Sequence, residues 1–209
     1  MKIKELDING LDRKWFLIEN YRELKRINKL FKFKKSKYPV VGYSYIDHDE
    51  GISMRILGNI KYENKEIVLD KKEIDERIDI IRYSEMEKLN VREIETDVLR
   101  KIKYIDDVEE EMDKYYDNNS VLALRKEHLL DEFRDPINPD DVQFLIVSKL
   151  YPNGEIIWAK LEDKEDDKYI AKVIVEPNQD YGIKLNDMIE LKYVEREVYK
   201  GLVFIKKHF

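Results

Sequence analysis

Carboxylates are the side chains of this chain with the most evident capacity for chemistry, because 45 of its 209 residues are Asp or Glu. Asp47, Asp49 and Glu50 surround His48 in one short segment between two apolar runs. Such a segment could hold a divalent cation, but an EF-hand calcium loop needs further acidic positions and a closing glutamate at fixed spacing, and these are absent. We therefore predict an acidic, solvated turn, with a metal site as the alternative.

A second acidic group consists of Asp140, Glu162 and Asp163 together with Lys164. Its composition resembles that of metal-dependent nucleases, in which carboxylates hold the metal and a lysine positions the attacking water. Charged residues make up 40% of the chain, so a Glu-x-Lys spacing arises readily by chance. The alternative function is nevertheless a divalent-metal-dependent enzyme with carboxylate ligands. The four candidate ligands are Asp47, Asp49, Asp140 and Glu162.

Other catalytic chemistries have little support in the sequence. The chain has no cysteine, which excludes disulfides, thiolate nucleophiles and cysteine-bound zinc. A zinc site would have to recruit at least two of His48, His128 and His208, which belong to separate elements. The 7 glycines are dispersed singly and form no phosphate-binding loop, and no serine stands in a Gly-x-Ser-x-Gly turn. We therefore predict no catalytic residue, no metal and no cofactor, and we favour a protein that is not an enzyme.

The overall composition is that of a charged globular protein. The net charge is -6, while 43% of the residues are hydrophobic and 11% are aromatic, so the chain can bury a core beneath its charged surface. The opening residues 1–7 are charged and contain no apolar signal-peptide core, and no later run reaches membrane-spanning length. We expect a cytoplasmic protein with no membrane partner.

The first half of the chain is predicted to begin with one amphipathic helix from Asp12 to Phe31, with Asp12 as its N-cap. Its polar face is basic, and the basic character continues through residues 32–37. A nucleic-acid or anionic-membrane footprint is one interpretation, and a lysine-solvated helix face is the other. We favour the solvated face, because Phe31 and Phe33 alone make a poor stacking platform, and we expect no tight binding of nucleic acid. The predicted apolar face contains Trp15, Leu17, Ile18, Tyr21, Leu24, Ile27, Leu30 and Phe31.

Residues 39–69 predict a β-meander, and the pattern becomes helical and densely charged from Lys71 to Asp117. The acidic stretch that contains Glu109, Glu110 and Glu111 could meet a basic partner, but such a run is more often a solvated helix face. A further helix is predicted to begin at Ser120 as its N-cap. Its predicted inward residues are Leu122, Leu129, Leu130 and Phe133.

The proline-containing segment Asp135–Pro139 ends this helix, because each proline disfavours helical conformation at the residue before it. We therefore predict two domains: an α+β domain over residues 1–134, with an N-terminal helix, a β-meander and helices, and a β-domain over residues 135–209.

The second predicted domain contains five apolar runs of strand length separated by strong turn signals. Tyr151-Pro152-Asn153-Gly154 predicts a tight hairpin, because proline presets one turn dihedral and Asn-Gly tolerates positive φ. Five short strands in so few residues indicate a small SH3-like antiparallel β-barrel, since closing the sheet hides its edges. We predict that Trp158 anchors its core. The predicted strands are Val142–Val147, Ile156–Leu161, Tyr169–Val175, Met188–Val194 and Val198–Ile205.

Several segments of this region carry a resemblance to a known family. Phe133–Pro136, Pro139–Val142, Ile157–Leu161, Glu176–Gly182 and Asn186-Asp187 together resemble the YegJ-like group of small bacterial β-domains of unknown function. Where relatives usually have Gly-Asp, this chain has Asn-Asp, and asparagine also accepts a left-handed turn. The resemblance implies the β-domain and brings no catalytic residue with it. Some relatives are predicted immunity proteins of bacterial toxin systems.

The loop Glu176–Gly182 is the predicted partner-binding site. Pro177 stiffens it, Asn178, Gln179 and Asp180 offer hydrogen-bonding groups, and Tyr181 is amphipathic. The alternative is a structural loop, in which these polar groups satisfy the loop's own backbone and Tyr181 caps the barrel mouth. We predict a non-catalytic bacterial protein-interaction module whose partner is a toxin or another bacterial protein. Immunity or antitoxin-like activity is the specific form that the resemblance implies.

Overall fold

The computed structural model divides the chain into two compact units, Met1–Tyr115 and Tyr116–Phe209. It describes residues 1–31, 37–63, 66–70, 80–100, 102, 105–197 and 199–204. Helices and sheets are both present, so the α+β class is confirmed. The division falls earlier than the predicted boundary after Arg134, because the helical residues before that position pack on the strands that follow it.

The first unit is built on one sheet of six strands in which all the pairs are antiparallel. The strands are β1 (Lys14–Ile18), β2 (Val40–Asp47), β3 (Gly51–Glu63), β4 (Glu66–Asp70), β5 (Ile80–Arg82) and β6 (Val91–Glu93). Their order is β4-β3-β2-β1-β6, and β5 also pairs with β3. The predicted meander is confirmed. Strand β3 continues through Gly58-Asn59, and its pairing with β2 skips Leu57 as a bulge.

Among the described residues of the first unit, five helices accompany this sheet. They are α1 (Ile8–Leu11), α2 (Tyr21–Leu30), α3 (Tyr83–Met86), α4 (Thr96–Leu99) and α5 (Ile105–Asp113), with 3-10 turns at Ile3–Glu5 and Lys114–Tyr116. Part of the predicted helical stretch, residues 71–79, and most of the basic run, residues 32–36, lie outside the described residues.

The single helix predicted from Asp12 to Phe31 is wrong. Residues 14–18 form β1, and α2 begins only at Tyr21, where the side chain of Asn20 accepts a hydrogen bond from the backbone N–H of Arg22 at 3.0 Å. The physical reason is that β1 lies inside a sheet whose two faces are both covered. Residues 15–18 are therefore all buried and apolar, and the alternation that marks a strand is lost.

The two faces of the sheet pack differently. Phe16 and Ile18 pack on one side with Leu24 and Ile27 of α2. Helix α5 lies on the other side, where three of its acidic residues contact residues of the sheet and of the turn before β1. The contacts are a 2.7 Å hydrogen bond from the Trp15 indole to Glu109, an ion pair of Arg55 with Glu111, and one of Arg13 with Asp113 at 3.4 Å.

The second unit contains five strands that close into a barrel. They are β7 (Asp141–Ile146), β8 (Glu155–Glu165), β9 (Lys168–Val173), β10 (Met188–Arg196) and β11 (Tyr199–Phe204). Four neighbouring pairs are antiparallel, as predicted, but β11 pairs with β7 in parallel. An odd number of strands that alternate in direction brings the first and last strands together pointing the same way. The closing pair is therefore parallel, which corrects the prediction of a wholly antiparallel barrel.

Alternate residues of the barrel strands fill its interior, among them Phe144, Ile157, Ala159 and Leu161. Because the side-chain period of a strand is two, Trp158 points to the other face and is only half-buried. The prediction that Trp158 anchors the core is therefore wrong, and small Ala159 occupies the interior beside it.

A short helical segment covers part of the barrel core. It comprises α6 (Asn119–Arg125) and a 3-10 helix, His128–Phe133, which contribute Leu124 and Leu130 to the core. The N-cap is Asn118 instead of Ser120, since the Asn118 side chain accepts from the backbone N–H of Ser120 at 3.0 Å. Leu130 is buried as predicted, whereas Leu129 is 42% exposed.

Candidate functional site

The predicted partner-binding loop has a defined structure because a carboxylate on β8 binds its backbone. Glu155 Oε2 accepts hydrogen bonds from the backbone N–H of Asn178 at 2.9 Å and from its Nδ2 at 3.0 Å. Glu155 Oε1 accepts from the backbone N–H of Gln179 at 2.9 Å. Hydrogen bonds to an ionised acceptor are stronger than neutral ones, so Glu155 fixes the loop to the start of β8.

Tyr181 forms the buried end of this loop. It is 3% exposed, and its ring meets that of Tyr151 edge-on, with 5.3 Å between the ring centroids. The pKa of Tyr181 is raised, first by burial and then by the negative charge of Glu155. Tyr181 therefore joins the loop to the barrel core.

The rest of the loop follows local turn geometry. Asp180 Oδ1 accepts from the backbone N–H of Gly182 at 3.0 Å, and Gly182 has a φ of 75°. Glu176 Oε2 accepts from the backbone N–H of Leu185 at 2.9 Å. Asn186 has a φ of 70°, so it adopts the left-handed conformation that asparagine accepts more readily than most residues.

The five predicted partner-binding residues thus lie in one loop but differ in what their side chains offer. Asn178 donates from Nδ2 to Glu155, and Tyr181 is buried in the barrel core. Pro177 is half-buried. Gln179 and Asp180 are exposed, and although Asp180 Oδ1 accepts from the Gly182 amide, both side chains face solvent where a partner can contact them.

Two exposed apolar residues, each next in sequence to a residue that contacts this loop, were missed by the sequence reasoning. Leu150, in the β7–β8 turn, is 81% exposed, and Ile156, next to Glu155, is 60% exposed. A signal for Ile156 was present, because Ile157 faces the interior and the strand period then places its neighbour outside. Nothing in the sequence distinguished Leu150 from an ordinary turn residue.

The turn that carries Leu150 is held in a defined conformation. The backbone N–H of Gly154 donates to the Tyr151 carbonyl at 3.1 Å, and Ser148 Oγ accepts from the Tyr151 backbone N–H at 3.2 Å. Gly154 has a φ of 66°, and a Cβ there would stand 2.6 Å from the carbonyl oxygen of Ile146. Glycine is therefore required at this position.

A group of buried charges holds the helical segment against the barrel. Arg125 donates from Nε and Nη2 to the two carboxylate oxygens of Asp140 at 2.8 and 2.6 Å. Arg134 donates to the carbonyl oxygens of Leu124, at 2.6 Å, and Pro139. Burial lowers the pKa of Arg134, although the charge of Asp140 opposes the shift. Asp140 thus has both oxygens engaged by a guanidinium.

Two of the other proposed metal ligands, Asp47 and Glu162, also have polar partners. Asp47 accepts from the backbone N–H of Asp49 at 3.0 Å and lies 3.6 Å from Arg82, and Glu162 lies 3.6 Å from Lys172. Within the described ranges, no group of three or more His, Asp or Glu side chains is arranged to hold a metal ion.

The chain was compared with models of protein families, with curated proteins and with solved structures, and no match emerged from any of the three comparisons. The relation to the YegJ-like group therefore stays a prediction. In the part of the chain that the structure describes, no helix combines the length and apolar character needed to cross a membrane.

Proposed function

We propose that the chain is a non-catalytic protein-interaction module and that it binds its partner through a hairpin–loop surface. This surface consists of Leu150, Ile156, Gln179 and Asp180. The observation that carries the proposal is the exposure of Leu150, at 81%, next to Tyr151, whose ring contacts Tyr181 of the loop that Glu155 fixes.

Exposed apolar side chains cost nothing to desolvate and release water when a partner covers them, so they supply the free energy of association. A loop that is already ordered adds hydrogen-bonding groups without a large entropic cost on binding. Leu150 and Ile156 provide the first kind of contact, and Gln179 and Asp180 the second. The arrangement suits an apolar pocket on a protein partner, with polar groups at its rim.

Immunity or antitoxin-like activity is the specific form that we propose for this function. It rests on the resemblance to the YegJ-like group, some of whose members are predicted immunity proteins. The SH3-like class of the barrel and a cytoplasmic location belong to the same proposal, although the parallel closing pair distinguishes this barrel from the wholly antiparallel one that was predicted. The partner would be a bacterial toxin or another bacterial protein.

The immunity proposal is tested with the product of the gene next to the one that encodes this chain. The two proteins are produced together in a bacterial host, and growth is compared with that of cells that make the neighbouring product alone. Restored growth together with a direct complex in a binding assay supports the proposal. A neighbouring product that neither binds the purified chain nor loses toxicity in its presence contradicts it.

The surface is tested separately with the Leu150→Asp/Ile156→Asp double variant. Replacing apolar side chains at the centre of an interface by charged ones should weaken the complex by about thirtyfold or more. Leu129→Asp is the matched control, since Leu129 is also exposed and belongs to the same unit. Equal affinity of wild type and double variant, with unchanged thermal unfolding, would show that the partner binds elsewhere.

A further inference from the structure

A groove of about 320 Å³ lies beside the end of the partner-binding loop. Its volume is at the lower end of the range for sites that hold small ligands. It is lined by Gly182, Ile183, Asp187, Met188, Ile189, Glu190 and Phe204.

The apolar part of the groove suits a hydrocarbon chain. Met188 is 56% exposed, and Phe204 is partly buried. A thioether side chain adapts its shape to what it covers, and an aromatic ring attracts a cation placed over its face. The walls therefore accommodate the aliphatic stem of a long side chain and also favour a positive group near the ring.

The polar part of the groove is anionic. Glu190 forms an ion pair with Lys168 at 2.8 Å, which compensates its charge. Asp187 Oδ2 accepts from the backbone N–H of Lys184 at 2.8 Å. No cation of the described residues forms an ion pair with Asp187, so within that part of the chain its negative charge is not compensated.

We propose that this groove receives an arginine or lysine side chain from the protein partner. Charge complementarity selects this occupant, because a long cationic side chain lays its methylene groups along apolar walls while its charged end meets a carboxylate. The proposal rests on the proposed function, since Gly182 of the groove also ends the loop Glu176–Gly182. It adds a cationic residue to the chemistry required of the partner.

The test uses the full chain labelled with ¹³C in its methionine methyl groups and followed by NMR. Met188 is the methionine of the second unit, and Met54, Met86 and Met112, which are buried in the first unit, serve as internal references. The probes are acetylated and amidated Gly-Arg-Gly and Gly-Lys-Gly peptides, with Gly-norleucine-Gly and Gly-Glu-Gly as controls. The cationic peptides should shift the Met188 methyl signal in a saturable way and leave the reference signals in place.

The role of charge is tested with Asp187→Asn, which keeps an oxygen for the Lys184 amide. This substitution should lower the affinity for the cationic peptides about fivefold, as expected for the loss of one exposed charge. Asp166→Asn is the matched control, because it makes the same charge change at an exposed turn of the same unit.

Three outcomes would overturn the proposal. They are no shift of Met188 up to the solubility limit of the peptides, an equal shift with norleucine, and cationic binding that appears only after residues 205–209 are deleted. The third outcome would mean that the chain's own basic C-terminal residues compete with the peptides for the groove. Each leaves the proposed function intact, because that function is tested at Leu150 and Ile156.

Discussion

Arg125 and Asp140 form a bidentate ion pair that is almost wholly buried, with side-chain exposures of 5% and 4%. The pair joins α6 to the first strand of the barrel. Removing two charges from water is costly, and their mutual attraction offsets that cost only when both partners are present. The main effect of the pair is therefore to fix the position of the helical segment. Its net contribution to the free energy of unfolding is small by comparison.

The first prediction concerns this pair. Arg125→Met should lower the free energy of unfolding of the second unit by about 3–5 kcal/mol, because it leaves the Asp140 carboxylate buried without its cation. The Arg125→Met/Asp140→Leu double variant should recover most of that loss. Chemical denaturation of the single and double variants gives the coupling energy between the two positions.

Lys200→Met is the control, since Lys200 and Glu132 form an exposed pair in the same unit at 3.0 Å. Removal of this exposed pair should lower stability far less, because solvent screens its charges and leaves no buried ion behind. An Arg125→Met variant as stable as the control would mean that the buried pair does not secure the helical segment.

The strands of the barrel could be predicted from the sequence because each combines an apolar run with a turn signal on either side. β7 to β10 match their predicted ranges to within a few residues, as does the described part of β11. β1 could not be predicted in this way. Residues 15–18 are buried on both faces, and their spacing continues into Leu24 and Ile27 of a genuine helix, so a helical period fitted both elements.

The candidate site shows a different limit of sequence reasoning. The loop containing Gln179 and Tyr181 was recognised from its turn residues, which act locally. Glu155, which fixes this loop, lies 23 residues before Asn178, and nothing in its own neighbourhood distinguishes it from the many other carboxylates. The pairing of Arg125 with Asp140 is equally remote from any local pattern. Tertiary structure alone brings such residues together.

The second prediction concerns pH. Burial raises the pKa of Asp141 above its ordinary value of 3.8, and the charge of Lys160 only partly opposes this shift. The folded state therefore binds a proton on Asp141 more tightly than the unfolded state does. As pH rises from the unfolded pKa to the raised folded pKa, the contribution of Asp141 to stability falls.

Asp141→Asn removes this titration. The stability of the variant relative to wild type should therefore increase as pH rises through that window and stay level above it. Urea denaturation midpoints of the two proteins, measured at a series of acidic to neutral pH values, provide the check. A difference that is constant with pH, or that changes in the opposite direction, would contradict the assignment of the raised pKa to Asp141.

The third prediction concerns the hairpin turn. Gly154→Ala should destabilise the second unit by about 1–3 kcal/mol, because its positive φ disfavours any L side chain and the added Cβ would meet the backbone oxygen of Ile146. Asn153→Ala, at the exposed position before it, should change stability by less than about 0.5 kcal/mol. Thermal unfolding distinguishes the two variants, and equal melting temperatures would show that the turn relaxes without strain.

The last prediction concerns Glu155, on which the order of the proposed binding loop depends. Glu155→Ala removes the acceptor for the backbone N–H groups of Asn178 and Gln179, so both amides should exchange with deuterated solvent faster than in wild type. The loss of charge-assisted hydrogen bonds should also lower stability by about 1.5–3 kcal/mol. Glu162→Ala is the control, because Glu162 lies on the same strand but is 3.6 Å from its ion-pair partner, Lys172.

If loop order is what reduces the cost of binding, Glu155→Ala should weaken the partner complex while Leu150 stays in place. Accelerated exchange with unchanged affinity would show that the partner does not use the loop.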